Sequence, residues 1–194
     1  MNRTSTPVPA ATTLALVATG AALVAVCSQL AVPVGSVGVP VTLQTFAVLL
    51  VGLALGPVRG AAALGLYLLV GAVGFPVFAL GSGGLGVITG PTAGYLLSFP
   101  LAAFAAGAVR QSLARVRWSA VGTVAGALLG IALVYAVGIP VLAWRADLAI
   151  GTAAASNVVF ILPELAKVIL AVAGASAVQR AFPVLAARRR LATS

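Results

Sequence analysis

"VPVTLQTFAVLLVGLALG", residues 39–56, sets Thr42, Gln44 and Thr45 at the head of an otherwise apolar run. Such a run approaches the roughly 20 residues that a membrane-spanning helix needs. Polar side chains clustered at its start either cap a helix at the bilayer surface or line a site that opens there. Composition decides first whether the run belongs in lipid.

Of the 194 residues, 62% are hydrophobic and 7% are charged. A soluble domain carries charge on about a quarter of its residues. Eleven basic and two acidic side chains cannot coat such a surface, so the solvent for most of this chain is lipid. The length suits one polytopic membrane domain over residues 1–194.

Apolar segments of spanning length occupy about 11–32, 41–57, 60–79, 92–109, 119–139 and 162–182. The expected fold is therefore an all-α integral membrane protein of six transmembrane helices. The basic residues orient it. With both termini cytoplasmic, Arg3, Arg59, Arg110, Arg115, Arg117, Arg180 and Arg188, Arg189 and Arg190 lie inside, against Arg145 alone outside. Cytoplasmic loops are the ones that accumulate Arg and Lys. Residues 149–162 are also apolar, but a seventh span there would carry Arg188–Arg190 outside. A short helix or re-entrant segment on the outer face fits better, since irregular backbone at membrane depth must be buried in protein. Rows of glycine at four-residue spacing (Gly52, Gly56, Gly60 and Gly122, Gly126, Gly130) suit close helix packing in lipid.

The net charge of +9 is scattered between apolar segments and makes no aromatic-studded basic face, so nucleic acid is not the expected partner. There is no His, which removes the commonest general base and His-based metal sites. Cys27 is the single cysteine, so no internal disulfide forms. No G-x-x-x-x-G-K-[ST] phosphate loop occurs, so ATP is not bound in that way. No Ser/Lys or paired-Asp site is evident, and the chain reads as a non-enzyme without a cofactor. Any energy for transport comes from another subunit.

Two further segments carry chemistry. "GFPVFALGSGGLGVITGPTAGY", 74–95, holds seven Gly and two Pro without a charge. It suits either a flexible connector or a lid whose backbone approaches a ligand closely. "LPELAK", 162–167, places Glu164 and Lys167 on one helix face. Ionisable groups within a span are expensive and turn toward the protein interior. They form a mutual ion pair, or both face a polar ligand. Thr42, Gln44, Thr45, Thr92, Tyr95 and Asn157 all fall at outer ends of spans. Singly each reads as an interfacial residue; together they converge on a binding site open to the outside.

"PVTLQTFAVLLVGLALGPVRG" with "YLLVGAVGFPVFALGSGGLGVITGPTAGYLLSFPLAA", about Pro40 to Ala103, closely resembles the BioY family, and "FILPELAK" (160–167) extends the likeness. These are biotin-binding S components of energy-coupling-factor (ECF) transporters. The resemblance implies six helices, an outward-facing vitamin pocket, and as partners a membrane coupling protein and two ATP-binding subunits in the bacterial cytoplasmic membrane. Its Pro-x-Asp-x-x-Lys pattern is met at Glu164 and Lys167, with Glu where Asp is usual and with Pro163 adjacent to the carboxylate, one place nearer than the pattern has it. Its Ala-x-x-x-Ala docking motif for the coupling protein fits Ala18 and Ala22, and equally Ala21 and Ala25. Biotin as transported ligand agrees with the residues: Glu164 accepts from ureido N–H groups, Lys167 donates to the ureido oxygen or the valerate, Gln44 offers donor and acceptor, and Phe46, Phe78 and Tyr95 supply apolar walls. An S component for another vitamin and a solitary facilitator or channel are the competing readings.

Overall fold

The computed structural model describes residues 9–32, 40–114 and 119–182. The helices are α1 (Ala10–Gln29), α2 (Gln44–Leu55), α3 (Pro57–Ala72), α4 (Leu85–Ile88), α5 (Ala93–Ala114), α6 (Ser119–Arg145), α7 (Ile150–Ser156) and α8 (Ile161–Ala181). Short 3-10 turns occupy Ala79–Gly81 and Val158–Phe160. Arg3, Arg115, Arg117 and Arg188–Arg190, used above to orient the chain, lie outside the described residues.

Among the described residues, four stretches are long and apolar enough to cross a membrane: Ala10–Gln29, Ala93–Ala114, Ala120–Arg145 and Ile150–Ala181. The second and third expected spans are shorter than the sequence suggested. At about 1.5 Å per residue, the twelve residues of α2 extend roughly 18 Å, well short of the ~30 Å hydrocarbon layer. The apolar run does not end at residue 55, but Gly56 adopts φ +84° and Pro57 begins a new helix. A positive φ is open to glycine at little cost, and proline suits the first position of a helix. The third span, expected to reach residue 79, stops at Ala72 because Gly74 (φ +113°) turns the chain into the Gly-rich segment.

Helix α1 also ends earlier than expected. Beyond Gln29 the chain extends, and Ala31–Val32 pairs antiparallel with Val41–Thr42, Ala31 opposite Thr42. Among the described residues, whose other regular elements are helical, this two-residue ladder delivers Thr42 and Gln44 to one end of the bundle. Residues 149–162 form the expected short helix, α7, followed by the 3-10 turn. Pro163 sits in the first turn of α8, where its missing N–H leaves no helical bond unmade.

The glycine rows pack helices together. Gly138, Gly130, Gly126 and Gly122 of α6 face Tyr95, Ala102, Ala106 and Arg110 of α5 in that order, so the two helices run antiparallel. A methyl at Gly52 would stand 2.7 Å from Ala103 Cα, and one at Gly60 would stand 2.9 Å from Gly52 Cα. Close approach of α2, α3 and α5 therefore depends on those missing side chains, as helix association in lipid requires. The core includes Val24, Val48, Leu49, Leu53, Leu64, Tyr67 and Phe78, all buried.

Arg110 is more than a topological charge. It is buried, and its Nη1 donates to Leu53 O at 3.0 Å, where Gln179 Nε2 also donates at 3.1 Å. Leu53 is in the last turn of α2, whose final carbonyls have no helical partners. A helix that ends short of the bilayer surface needs those carbonyls satisfied from within the protein. Arg110 caps α2 rather than lying free at a surface.

Candidate functional site

A cavity of about 250 Å³ opens at the end of the bundle where α2, α5 and α8 begin. Its lining joins Thr42, Gln44 and Thr45, the Gly-rich segment, Thr92 and Tyr95, the C-terminal half of α6, Asn157, and Glu164 with Lys167. Most of the wall is apolar. Its polar groups converge in a few fixed clusters, as in small-molecule sites.

The charged cluster belongs to α8 and α2. Lys167 Nζ lies 2.6 Å from Glu164 Oε1, the two residues being one turn apart on α8. Thr45 Oγ1 donates to the same Oε1 at 3.0 Å and accepts from Lys167 Nζ at 3.2 Å. All three side chains are buried. Buried charges need a partner and further hydrogen bonds to offset desolvation, and this triangle supplies both. It leaves one group over: among the described residues, Glu164 Oε2 is buried and accepts no hydrogen bond. Tyr135 of α6 is near enough to interact with the same carboxylate.

A second cluster fixes Gln44. Its Oε1 accepts from Thr42 Oγ1 at 3.0 Å and its Nε2 donates to the Tyr67 hydroxyl at 2.7 Å. The Gln44 amide N–H also donates to Thr42 Oγ1 at 3.2 Å, satisfying one of the orphan donors of the first helical turn. On the far wall, the Tyr95 hydroxyl donates to Asn157 Oδ1 at 2.8 Å, and Asn157 Nδ2 donates to Ala153 O at 2.7 Å. Asn157 thereby closes the end of α7 and carries the wall residue Tyr95. Tyr95 also packs edge-on to Tyr135 with centroids 6.0 Å apart.

Residues 75–82 cover the cavity, and Phe78, Ala79, Leu80 and Ser82 line it. The fold of this lid is set by Phe78, whose ring is wholly buried and meets Tyr67 edge-on at 5.4 Å. The ring fills the space left by the missing side chain of Gly71. Leu80 is left-handed, at φ 58°, a region that non-glycine residues occupy rarely.

Of the residues expected from sequence, Gln44, Thr45, Phe78, Thr92, Tyr95, Asn157, Glu164 and Lys167 line this one cavity. Phe46 does not: it is half-buried and packs against the hydrophobic core. One residue past Thr45, a helix has turned by about 100° and carries the ring away from the cavity. The four alanines of α1 divide. Ala18 and Ala22 are exposed, whereas Ala21 is buried and Ala25 half-buried. Sequence reasoning passed over Tyr67 and Tyr135, although a tyrosine inside an apolar span signals a hydroxyl with a partner. The walls formed by Leu96, Phe99, Val134 and Phe160 carry no local signal that separates them from core.

A family model described as the BioY family matches residues 1–184. The chain belongs to the BioY family. It is 36% identical to the "Biotin transporter BioY" of Rhizobium etli over 162 residues, 81% of this chain and 87% of that one. It is 45% identical to the protein of the same name from Rhodobacter capsulatus over 109 residues, 56% of this chain and 57% of that one. A "Probable biotin transporter BioY" of Pyrococcus horikoshii is 42% identical, over 57% of this chain and 62% of that one. With the latter two, the match spans less than two thirds of the relative's length. Among solved structures, the S-component for biotin from an ECF-type ABC transporter superposes with a TM-score of 0.79 at 28% identity, covering 88% of this chain and 90% of that one. Membership of the BioY family, together with several apolar helices of spanning length, makes this a multi-pass membrane protein.

Proposed function

We propose that the chain is the biotin-binding S component of an ECF transporter, taking up the vitamin from the outer side of the bacterial cytoplasmic membrane. The observation that carries this reading is the buried Glu164 carboxylate. One oxygen is held by Lys167 and Thr45; the other is buried beside an apolar-walled cavity, near Tyr135 and without a hydrogen-bond partner among the described residues. A ureido ring brings two N–H donors and a carbonyl acceptor. Glu164 Oε2 accepts from one ring N–H, a charge-assisted bond of the stronger kind. Lys167 donates to the ring carbonyl or to the valerate carboxylate, and the aromatic walls enclose the rest.

In this reading α1, α5, α6 and α8 cross the membrane at full length, α2 and α3 supply the other two passes as shorter helices that meet at Gly56, and both termini lie in the cytoplasm. Arg59 and Arg180 then lie at the cytoplasmic end, the α6–α7 turn with Arg145 outside. The exposed stripe of Ala18 and Ala22 on α1 is the docking face for the coupling protein, which connects the chain to the ATP-binding subunits. Ala21 and Ala25 face inward and serve packing. The domain is one unit throughout, and no cofactor takes part.

The test is equilibrium binding of labelled biotin to the purified chain in detergent, without ATP, in competition with other vitamins. Saturable binding displaced by biotin alone supports the assignment. Displacement by an unrelated vitamin reassigns the ligand, and a polar conduit without saturable binding would point to a channel.

A further inference from the structure

Ser28 and Gln29, the last two residues of α1, reach three consecutive carbonyls of the lid. Ser28 Oγ donates to Val77 O at 2.6 Å, and Gln29 Nε2 donates to Phe78 O at 3.2 Å and to Pro76 O at 3.4 Å. The same donors also have acceptors within α1. Ser28 Oγ is 2.6 Å from Ala25 O; Gln29 Nε2 is 3.3 Å from Ala25 O and 2.8 Å from Ser28 Oγ. One hydroxyl proton is thus offered two carbonyls at equal distance, and two amide protons are offered four acceptors.

That duplication has an energetic consequence. Opening a contact normally strands a buried donor, which costs more than the hydrogen bond itself contributed. Here the donors do not become orphans when the lid leaves, because Ala25 O remains in place. The lid side is equally prepared, since its carbonyls at 76–78 meet water once exposed. The lid keeps internal bonds as well: Phe78 N donates to Ser82 O at 2.9 Å and Ser82 N to Ala79 O at 3.3 Å. Its two ends are tied to α3, Phe75 N donating to Val70 O at 3.3 Å and Gly84 N to Gly71 O at 2.7 Å, so opening turns the segment between Gly74 and Gly84 and lifts the Phe78 ring off Tyr67.

The latch also touches the pocket. Ser28 neighbours the Tyr67 hydroxyl, which accepts from Gln44 Nε2, and the Tyr67 ring abuts Phe78. We propose that Ser28 and Gln29 are positioning residues forming a releasable latch, which holds the 75–82 lid over the cavity and connects through Tyr67 to Gln44 in its wall. This rests on the biotin reading only for the identity of the ligand whose residence the latch prolongs.

The experiment combines two measurements on the full-length protein in detergent, comparing the parent with Ser28→Ala and Gln29→Ala. The first is hydrogen–deuterium exchange of the peptide covering 75–84, without ligand, with α5 as an internal reference. The latch predicts faster exchange in the lid and unchanged exchange in α5. Gln29 is exposed, so its variant remains informative should the Ser28 variant misfold. The second is the dissociation rate of labelled biotin, which should rise roughly two- to tenfold, the effect of one net hydrogen bond, with association nearly unchanged. Parent-like exchange in the lid of both variants overturns the latch. Faster lid exchange with unaltered biotin dissociation overturns its role in holding ligand. Absence of biotin binding in the parent overturns the proposed ligand, while the exchange measurement still decides the latch.

Discussion

Thr45 and Glu164 stand 119 positions apart in sequence, yet the Thr45 hydroxyl donates to Glu164 Oε1 at 3.0 Å. Lys167 closes the triangle from the same helix as Glu164. The short helix α2 and the final helix α8 thus share one buried polar cluster. Disturbing either end should disturb the ligand site.

Replacing Glu164 by Gln keeps the volume and Thr45's bond but removes the charge. Biotin affinity should fall roughly ten- to hundredfold, the range for losing a bond to a charged group, as read by equilibrium binding. Glu164→Ala should cost more in stability, about 3–5 kcal/mol, because it leaves the Lys167 ammonium buried without its anion. Thermal unfolding in detergent measures the difference. The double change Glu164→Gln with Lys167→Met should recover much of that stability while still failing to bind.

Tyr67→Phe removes the hydroxyl that accepts from Gln44 Nε2. The fold should survive, since the ring stays packed on Phe78 and the buried amide loses one partner at about 1–3 kcal/mol. Binding should weaken severalfold because Gln44 is then held only through its Oε1 by Thr42. Affinity equal to the parent protein would remove Gln44 orientation from the account.

These clusters were partly legible in the sequence. Glu164 and Lys167 announced themselves, because two ionisable groups three residues apart in an apolar span must share a buried face. The Gly-rich segment was legible as irregular backbone for a similar local reason, since glycine density signals backbone that no regular helix needs, but connector and lid read alike. What pairs with what was not legible. Nothing near Thr45 points to a residue 119 positions away, and nothing near Gln44 points to Tyr67. The length of α2 was also hidden, because hydropathy runs on past Leu55 while the helix is ended by the positive φ of Gly56. The charge of Arg110 speaks only for the cytoplasmic side; its burial goes with the shortness of α2, which leaves Leu53 O in need of a donor.

That donor gives a further prediction. Arg110→Met should destabilise the protein by roughly 1–3 kcal/mol, the range for leaving a buried acceptor short of a partner. Gln179 still reaches Leu53 O, so the loss should grow in the double variant with Gln179→Leu. Thermal unfolding of the two variants in detergent provides the comparison, and equal stability of both with the parent would contradict the capping role.

The two alanine stripes of α1 allow a clean contrast. Ala18→Trp with Ala22→Trp adds bulk to an exposed face and should weaken co-purification with the coupling protein while biotin binding stays near the parent level. Ala21→Trp forces bulk into the core and should instead lower the unfolding temperature. Lost biotin binding with assembly preserved in the first variant would transfer the exposed stripe from docking to the pocket.

Sidedness is tested by labelling introduced thiols in intact cells, the native Cys27 being buried. Ser82→Cys should react with an impermeant reagent from outside, and Ala181→Cys only after permeabilisation. Reaction of both from one side would refute six crossings.

Calorimetric titration of biotin into the purified chain, with Glu164→Gln measured alongside, tests the central claim most directly. The account predicts saturable binding of one biotin per chain without ATP or partner subunits, and heat reduced or lost in the variant. No saturable heat at micromolar protein, or equal binding by the variant, would contradict it.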